Sequence, residues 1–129
     1  MAATQQDITQ QERNKQVVER MFEVVYGDGT NFEILDEIVP EDYIQHNPSA
    51  GQGRDGLIKW FREIVPLPEW LDASGTVAVH LIAEGDFVVR QEIRTHGVLL
   101  DVFRFEDGVV KEHWDAFRPD PGTERLPGF

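Results

Sequence analysis

The sequence of 129 residues contains no cysteine and only two serines, Ser49 and Ser74. The lack of cysteine excludes disulfide bonds, thiolate metal ligands and every mechanism that uses a cysteine nucleophile. Neither serine lies in a G-x-S-x-G motif, so the sequence does not support a serine triad. No uncharged apolar run approaches the roughly 20 residues of a membrane-spanning helix, and residues 1–11 lack the apolar core of a signal peptide. These absences predict a cytoplasmic protein.

Basic residues are also scarce. Twelve Lys and Arg stand against 24 Asp and Glu, which gives a formal net charge of -12. The basic residues are scattered rather than gathered into a stripe that could release counterions from phosphate. Nucleic acid and membrane surfaces are therefore not expected as partners. The length and the 40% of hydrophobic residues suffice for one domain with a real core.

The first half of the chain predicts three helices. Apolar residues recur at spacings of three and four over residues 10–26, and a glycine at position 27 follows. A shorter helix is expected over 32–39 and a third over 54–65, each ended by a proline. A brief extended segment over 43–46 lies between the second and the third.

The second half predicts four strands, which cover residues 76–83, 87–95, 98–105 and 109–117. Helices followed by hairpin-connected strands are typical of the α+β class, with a curved antiparallel β-sheet wrapped around about three N-terminal helices. We interpret residues 1–129 as one domain, with a flexible tail over 1–11 and an irregular tail over 118–129. The irregular tail is expected to cross a pocket mouth or a neighbouring subunit.

The last hairpin carries two aspartates and a histidine whose orientation depends on the turn. A two-residue turn at Asp107-Gly108 would set two basic residues directly opposite each other and would separate Asp101 from the other two groups. A three-residue loop, Glu106 to Gly108, would instead pair Asp101 with His113. We favour the three-residue loop, which places Asp101, His113 and Asp115 on one face together with Phe103 and Phe105.

Carboxyl groups and an imidazole among aromatic rings are suited to moving a proton. An apolar surrounding disfavours the charged carboxylate, whereas a nearby imidazolium favours it, so such a set can hold a proton donor and an acceptor near neutral pH. This chemistry removes a proton from a carbon next to a carbonyl. The alternative is that Asp101 and His113 form a structural hydrogen-bonded pair with no other role.

His46 ends the extended segment at the turn Asn47-Pro48, where loops often carry functional side chains. The alternative is an exposed loop histidine. His80 and His96 are treated as structural. No local spacing of histidines and carboxylates indicates a metal site, so no metal is expected.

The stretch Gly51-Gln52-Gly53-Arg54-Asp55-Gly56 matches a dinucleotide-binding fingerprint by letter, and a helix is predicted after it. No buried parallel strand leads into it, and no alternation of strands and helices surrounds it. We therefore interpret the stretch as a mobile loop and helix start rather than a nucleotide site.

Several motifs together resemble the SnoaL-like polyketide cyclase family, which belongs to the nuclear-transport-factor-like superfamily. They are Tyr43-Ile44-Gln45-His46-Asn47-Pro48, Glu84-Gly85-Asp86, Asp101-Val102-Phe103-Arg104 and Glu112-His113-Trp114-Asp115. The resemblance implies a cone-shaped domain with an internal pocket, frequent homodimers and cofactor-free intramolecular aldol ring closure by an aspartate that acts as acid and base. It assigns that aspartate to Asp115.

The resulting hypothesis is a cofactor-independent lyase or isomerase that acts on a small hydrophobic organic substrate. Asp115 would remove the proton, His113 or His46 would hydrogen-bond the enolate, and Asp101 would orient His113. The apolar walls and the substrate contacts are expected from Trp60, Phe61, Phe103, Phe105, Asn47 and Tyr43. Two alternatives stay open: a non-catalytic ligand-binding module of the same fold, and an epoxide-hydrolase-like enzyme.

Overall fold

The computed structural model describes residues 9–27, 32–64, 76–95 and 97–119. It contains three helices followed by a five-stranded sheet, so the predicted α+β class is confirmed. In chain order the elements are α1 (Gln10–Gly27), α2 (Ile34–Ile38), β1 (Ile44–Gln45), α3 (Gly53–Lys59) with a π-helical continuation (Trp60–Ile64), β2 (Thr76–Glu84), β3 (Phe87–Arg94), β4 (Gly97–Glu106) and β5 (Val109–Pro119).

The ends of the chain differ in part from the expectation. Helix α1 already begins at Gln10, and β5 continues through Arg118 and Pro119, so four residues of the two predicted tails belong to regular elements. The other residues of the predicted tails lie outside the described residues, except Thr9. His96 also lies outside them. None of the helices in the described part of the chain is long and apolar enough to cross a bilayer.

Helix α1 starts at a side-chain cap and covers the sheet with one face. The Thr9 hydroxyl accepts a hydrogen bond from the backbone N–H of Glu12 at 3.2 Å, which satisfies one of the free donors of the first turn. Val18 and Met21 are buried on the opposite side from the charged residues of the helix. They pack into a core that also contains Phe32, Ile34, Leu35, Ile38, Val39, Tyr43, Leu57, Val88, Phe103, Phe105 and Val110.

The sheet has the strand order β1-β5-β4-β3-β2. Strands β2 to β5 form an antiparallel meander, as predicted, but β1 pairs in parallel with β5. The sheet is therefore mixed at this edge, because the short segment after α2 runs in the same direction as the last strand. The pairing sets Gln45 beside His113.

The β4–β5 turn corrects the predicted hairpin register. Asp107 and Gly108 have φ angles of 53° and 82°, and Glu106 pairs with Val109, so the turn has two residues rather than three. Positive φ at both central positions is the geometry of a type I′ turn, which Asp-Gly favours because its twist matches that of the strands. The predicted register, which set Asp101 directly opposite His113, is wrong, although the two side chains are hydrogen-bonded to each other.

A β-bulge at Lys111 brings the acidic and imidazole side chains back onto one face. The register shifts there, so that Arg104 pairs with Glu112 rather than with Lys111, and Lys111 bonds to Asp42 instead. The extra residue reverses the facing of the rest of β5. Phe103 consequently lies opposite His113, and Asp101 lies opposite Asp115.

The glycine-rich stretch stabilises the free edge of β1. The side-chain amide of Gln52 accepts a hydrogen bond from the backbone N–H of Gln45 at 3.0 Å and donates one to its carbonyl at 2.8 Å. A Cβ at Gly56 would collide with the backbone of Gly51, so the loop needs glycine there for close packing. The stretch is thus a structural support for β1, and it is bonded to that strand rather than loose.

Candidate active site

An apolar pocket opens between the helices and the inner face of the sheet. Its volume is about 650 Å³ including the solvent at its mouth. Of the predicted contact residues, Tyr43, Trp60, Phe61 and Phe103 line it. Phe105 is buried in the core instead. The other lining residues are Met21, Phe22, Gln45, Leu57, Arg94, Leu99, Asp101, Val110, His113 and Asp115.

His113 is held at both ring nitrogens. Its Nδ1 lies 2.9 Å from Oε1 of Gln45, and its Nε2 lies 2.9 Å from Oδ1 of Asp101. The same Gln45 oxygen accepts the backbone N–H of Asn47 at 3.0 Å, and the Gln45 amide nitrogen donates to the Tyr43 hydroxyl at 3.1 Å. Because a backbone N–H can only donate, its partner must be the amide oxygen, and His113 Nδ1 must carry a hydrogen.

This fixed tautomer determines what lies between His113 and Asp101. With Nδ1 protonated, a neutral ring would turn the Nε2 lone pair toward an oxygen of Asp101. A hydrogen bond at 2.9 Å therefore requires one proton between the two groups, a condition that an imidazolium beside a carboxylate meets. The pair is buried, since each side chain is 9% exposed. Oδ2 of Asp101 is buried without a hydrogen-bond partner among the described residues.

Asp115 completes the group at the pocket mouth. It is the direct cross-strand neighbour of Asp101, and its Oδ2 accepts a hydrogen bond from the side-chain amide of Asn47 at 3.2 Å. Loss of hydration around its carboxyl is the largest influence and raises the pKa of Asp115 above its ordinary value near 3.8. The positive charge of His113 opposes this rise in pKa, the negative charge of Asp101 adds to it, and the Asn47 hydrogen bond lowers it again. A carboxylate whose pKa is raised is a better base than an aspartate at the ordinary value.

The structure does not bring His46 to this group. Because side chains alternate along a strand, Tyr43 and Gln45 point inward while Ile44 and His46 point outward. The His46 ring stacks on Trp114 at a centroid distance of 4.7 Å, and its Nε2 lies 2.7 Å from Oε2 of Glu112. His46 does not line the pocket. Gln45, which sequence reasoning passed over, occupies the inward position beside His113.

A charged set on β3 also faces inward. Arg90, Glu92 and Arg94 occupy alternate positions on the same face as Val88, which is fully buried. Arg94 Nε donates to Glu92 at 2.7 Å, and Arg90 Nη2 lies 3.7 Å from the same carboxylate. The sequence shows these charges, but alternation along an isolated strand does not say which of its two faces is covered by helices.

The described residues include one group that could hold a cation. Asp101, His113 and Asp115 each offer one ligand atom, and these atoms lie within 4.8 Å of one another. One imidazole and two carboxylates would leave coordination positions open to solvent or substrate. The Nδ1–H of His113 bonded to Gln45 is also the arrangement that orients metal-binding histidines. The geometry alone therefore fits either a shared proton or a bound cation.

The fold is similar to that of several solved structures. TsrD from Streptomyces laurentii is 24% identical over 81% of this chain and 87% of its own, with a TM-score of 0.58. A protein from Jannaschia sp. CCS1, named "Putative SnoaL-like polyketide cyclase", is 18% identical over 91% of this chain and 90% of its own, with a TM-score of 0.64. A nuclear-transport-factor-2-like protein of unknown function from Mesorhizobium loti is 14% identical, covers 86% and 95%, and has a TM-score of 0.58.

At these identities the similarity shows the fold alone, which is the nuclear-transport-factor-like α+β fold. A comparison with curated protein sequences finds no significant match. The SnoaL-like domain family matches residues 18–113, which include the C-terminal part of α1, Asp101, His113 and the other pocket-lining residues except Asp115. The chain therefore belongs to the SnoaL-like domain family.

Proposed function

We propose that the protein is a cofactor-independent acid/base enzyme, a cyclase or isomerase of the polyketide cyclase type, that acts on a small hydrophobic organic substrate. The observation that carries this proposal is the convergence of Asp101, His113 and Asp115 within 4.8 Å in an apolar pocket. A structural pair alone would need only Asp101 and His113. The third group, an underhydrated carboxyl at the pocket mouth, supplies the base that such a pair lacks.

In the proposed reaction Asp115 removes a proton from a carbon next to a substrate carbonyl. The C–H bond breaks, its electron pair forms a carbon–carbon double bond, and the carbonyl π pair moves to the oxygen; the enolate then forms a bond to a second carbonyl carbon or, where it is conjugated, directs its electrons to another carbon. Asp115 returns the proton to the oxygen or carbon that has gained electrons. The upward shift of the pKa of Asp115 favours the first step, because a carboxylate with a higher pKa is a stronger base.

The role of His113 in the proposal is electrostatic. Both ring nitrogens are already engaged, with Gln45 and with Asp101, so a hydrogen bond from His113 to the enolate would require one of them to be broken. The positive ring faces the ionised Asp115 before proton transfer and faces the enolate afterwards. A fixed charge that balances both states needs no rearrangement during the reaction, which is the basis of preorganised stabilisation. Asp101 and Gln45 are positioning residues for this ring.

The test compares the wild type with Asp115→Asn in the exchange of the α-protons of 2-tetralone in D₂O, followed by proton NMR. The variant keeps the shape of the side chain and an acceptor for Asn47, but it removes the base. We expect exchange to fall by about 100-fold or more, which is the usual contribution of a general base. The matched control is Asp107→Asn, the same change at an exposed left-handed turn position that asparagine also tolerates.

The outcomes separate the three candidate functions. Equal exchange rates in the wild type and Asp115→Asn would refute Asp115 as the base. Binding of 2-tetralone without exchange in either protein would favour a ligand-binding module. Hydrolysis of styrene oxide with oxygen taken from labelled water would favour the epoxide-hydrolase alternative. For the proposed reaction we also expect the exchange rate to be unchanged by EDTA, because the proton transfer uses side chains only.

We also propose that the enzyme is a homodimer that associates through the outer face of its sheet. This face exposes large apolar side chains, among them Ile82 (60%), Phe87 (43%) and Leu100 (37%), and Phe87 lies beside Trp114 with the ring centroids 6.3 Å apart. The charged groups at its edge are paired with one another. An apolar face with paired charges at its edge lets two acidic chains approach, and the resemblance to the family implies frequent homodimers. A single monomeric species at micromolar concentration in sedimentation velocity would contradict this.

A further inference from the structure

The inner face of β3 carries more positive than negative charge. Arg90 and Arg94 both face inward, and a single carboxylate, that of Glu92, lies between them. The side chains are 12%, 7% and 9% exposed respectively, so all three charges are largely removed from water. The chain as a whole has a net charge of -12, and only 12 of its residues are Lys or Arg. Two buried guanidiniums on this face, one of which lines the pocket, are therefore a local exception to the acidic character of the chain.

The hydrogen bonds of this set leave guanidinium donors unused. Glu92 accepts from Nε of Arg94 at 2.7 Å and from the Thr76 hydroxyl at 3.2 Å. Arg90 lies 3.7 Å from Glu92 and stacks over the Phe22 ring, with its guanidinium carbon 3.9 Å from the ring centroid. Nη1 of Arg90 is buried without a partner among the described residues. Asp101, the direct neighbour of Arg90 on β4, supplies a negative charge there. Arg94 shares the carboxylate of Glu92 with Arg90, and burying a charge without full pairing costs free energy, so an additional anion beside Arg94 would be stabilising.

Arg94 is the member of the set that lines the pocket. A guanidinium has five N–H donors and can present two edges to planar anions. The edge formed by Nε and Nη2 is used by Glu92, the only acceptor found for Arg94 in the described residues. The edge that contains Nη1 remains for a second carboxylate. We propose that the substrate carries a carboxylate that binds to Arg94, so that this enzyme acts on an aromatic or alicyclic keto acid in preference to a neutral ketone.

The sheet register sets the distance between this subsite and the catalytic group. The Arg94 side chain reaches Glu92, whose partner on β4 is Leu99. Asp101 lies two residues beyond Leu99 on the same strand. Two residues of strand span about 7 Å. The substrate carboxylate and the carbon that loses its proton should therefore be separated by about the width of one six-membered ring. This spacing rests on the proposed function, which places the reacting carbon beside Asp115.

The experiment measures the binding of two probes of the same shape, 4-acetylbenzoate and 4-acetylbenzamide, by isothermal titration calorimetry at low ionic strength. The para-substituted ring holds the acid or amide group and the acetyl carbon at about the required spacing. We expect the wild type to bind the acid at least about tenfold more tightly than the amide. In Arg94→Gln this preference should fall below about twofold, with little change in the affinity for the amide.

Two further variants act as controls. Arg62→Gln removes one positive charge from an exposed guanidinium outside the pocket, and it should keep the full preference for the acid. Arg94→Lys keeps the charge but not the planar fork, so it should retain a smaller preference for the acid. It also provides a second measurement if Arg94→Gln unfolds, and the comparison of the two probes on the wild type needs no variant at all.

Equal affinities of the wild type for the acid and the amide would overturn the proposal. A preference for the acid that survives in Arg94→Gln would overturn it as well, because the carboxylate would then be bound elsewhere. The test is independent of turnover, and Asp115→Asn should keep the preference for the acid. A protein that prefers the acid but does not exchange α-protons would refute the proposed function and leave this subsite in place.

Discussion

Gln45 is the residue on which the geometry of the group Asp101, His113 and Asp115 depends most, and Gln45→Met is the sharpest test of that geometry. The side chain is buried, at 5% exposure, and it makes three hydrogen bonds, with His113, Tyr43 and the backbone N–H of Asn47. Methionine has nearly the same length and fills the same space. The substitution therefore removes the hydrogen bonds with little change in packing.

The expected loss follows from what each partner can do afterwards. His113 keeps a buried Nδ1–H without an acceptor, which costs about 1–3 kcal/mol. The Tyr43 hydroxyl and the Asn47 N–H lose neutral hydrogen bonds worth about 1 kcal/mol each. The more apolar methionine returns about 1 kcal/mol through burial. We expect the free energy of unfolding to fall by about 2–4 kcal/mol, measured by urea denaturation.

The matched control for this prediction is Gln52→Met. Gln52 also makes two hydrogen bonds through its amide, both to the backbone of Gln45, but its side chain is exposed and water can replace them. We expect a loss of about 1 kcal/mol or less. Nitrogen-15 NMR of the histidine rings reports the second consequence, because only Gln45→Met should change the Nδ1 signal of His113. Equal stabilities of the two variants, with an unchanged ring signal, would refute the argument.

The Asp115→Asn variant also carries a stability prediction. Because folding raises the pKa of Asp115, the native state binds that proton more tightly than the unfolded chain, and this contribution to stability is lost as the pH rises from about 3.8 through the raised value. The variant should therefore gain stability relative to the wild type as the pH rises through this window, and the difference should stay constant at higher pH. The free energies of unfolding are measured by urea denaturation from pH 4 to 8. A difference between the two proteins that does not change with pH would contradict the predicted direction. For the proposed dimer interface on the outer face, Leu100→Glu should convert the dimer to a monomer in sedimentation velocity. The control Gln16→Glu adds a charge at an exposed position of α1 and should leave the dimer intact. A dimer in both variants would exclude this interface.

The α1 helix and the four-stranded meander were predictable because their signals are local. The apolar spacing along residues 10–26 is that of a helix with one buried face. The strands are separated by residues that are typical of tight turns. The shared face of Asp101, His113 and Asp115 was also predicted, but for the wrong reason. The tight turn at Asp107-Gly108 alone would have separated these residues, and the bulge at Lys111 restores their common facing.

The role of Gln45 was not identified from the sequence, although a signal was present. Alternation along the extended segment places residue 45 on the same side as the aromatic Tyr43, and that side excludes His46. A histidine attracts attention because of its chemistry, whereas a glutamine becomes functional only through its partners. Those partners are 68 residues away along the chain, on β5.

The amino-acid sequence by itself determined the class of the fold, the order of its elements and which ionisable groups are present, because spacing, turn residues and side-chain chemistry are properties of short segments. Only the tertiary structure decided which groups act together. The parallel pairing of β1 with β5 joined Gln45 to His113, a single bulged residue aligned Asp101 with Asp115, and the helices covered the face of β3 that carries Arg94. Each of these three arrangements depends on contacts between distant segments of the chain. The free energy of such a contact depends on both segments, so it cannot be read from either segment alone.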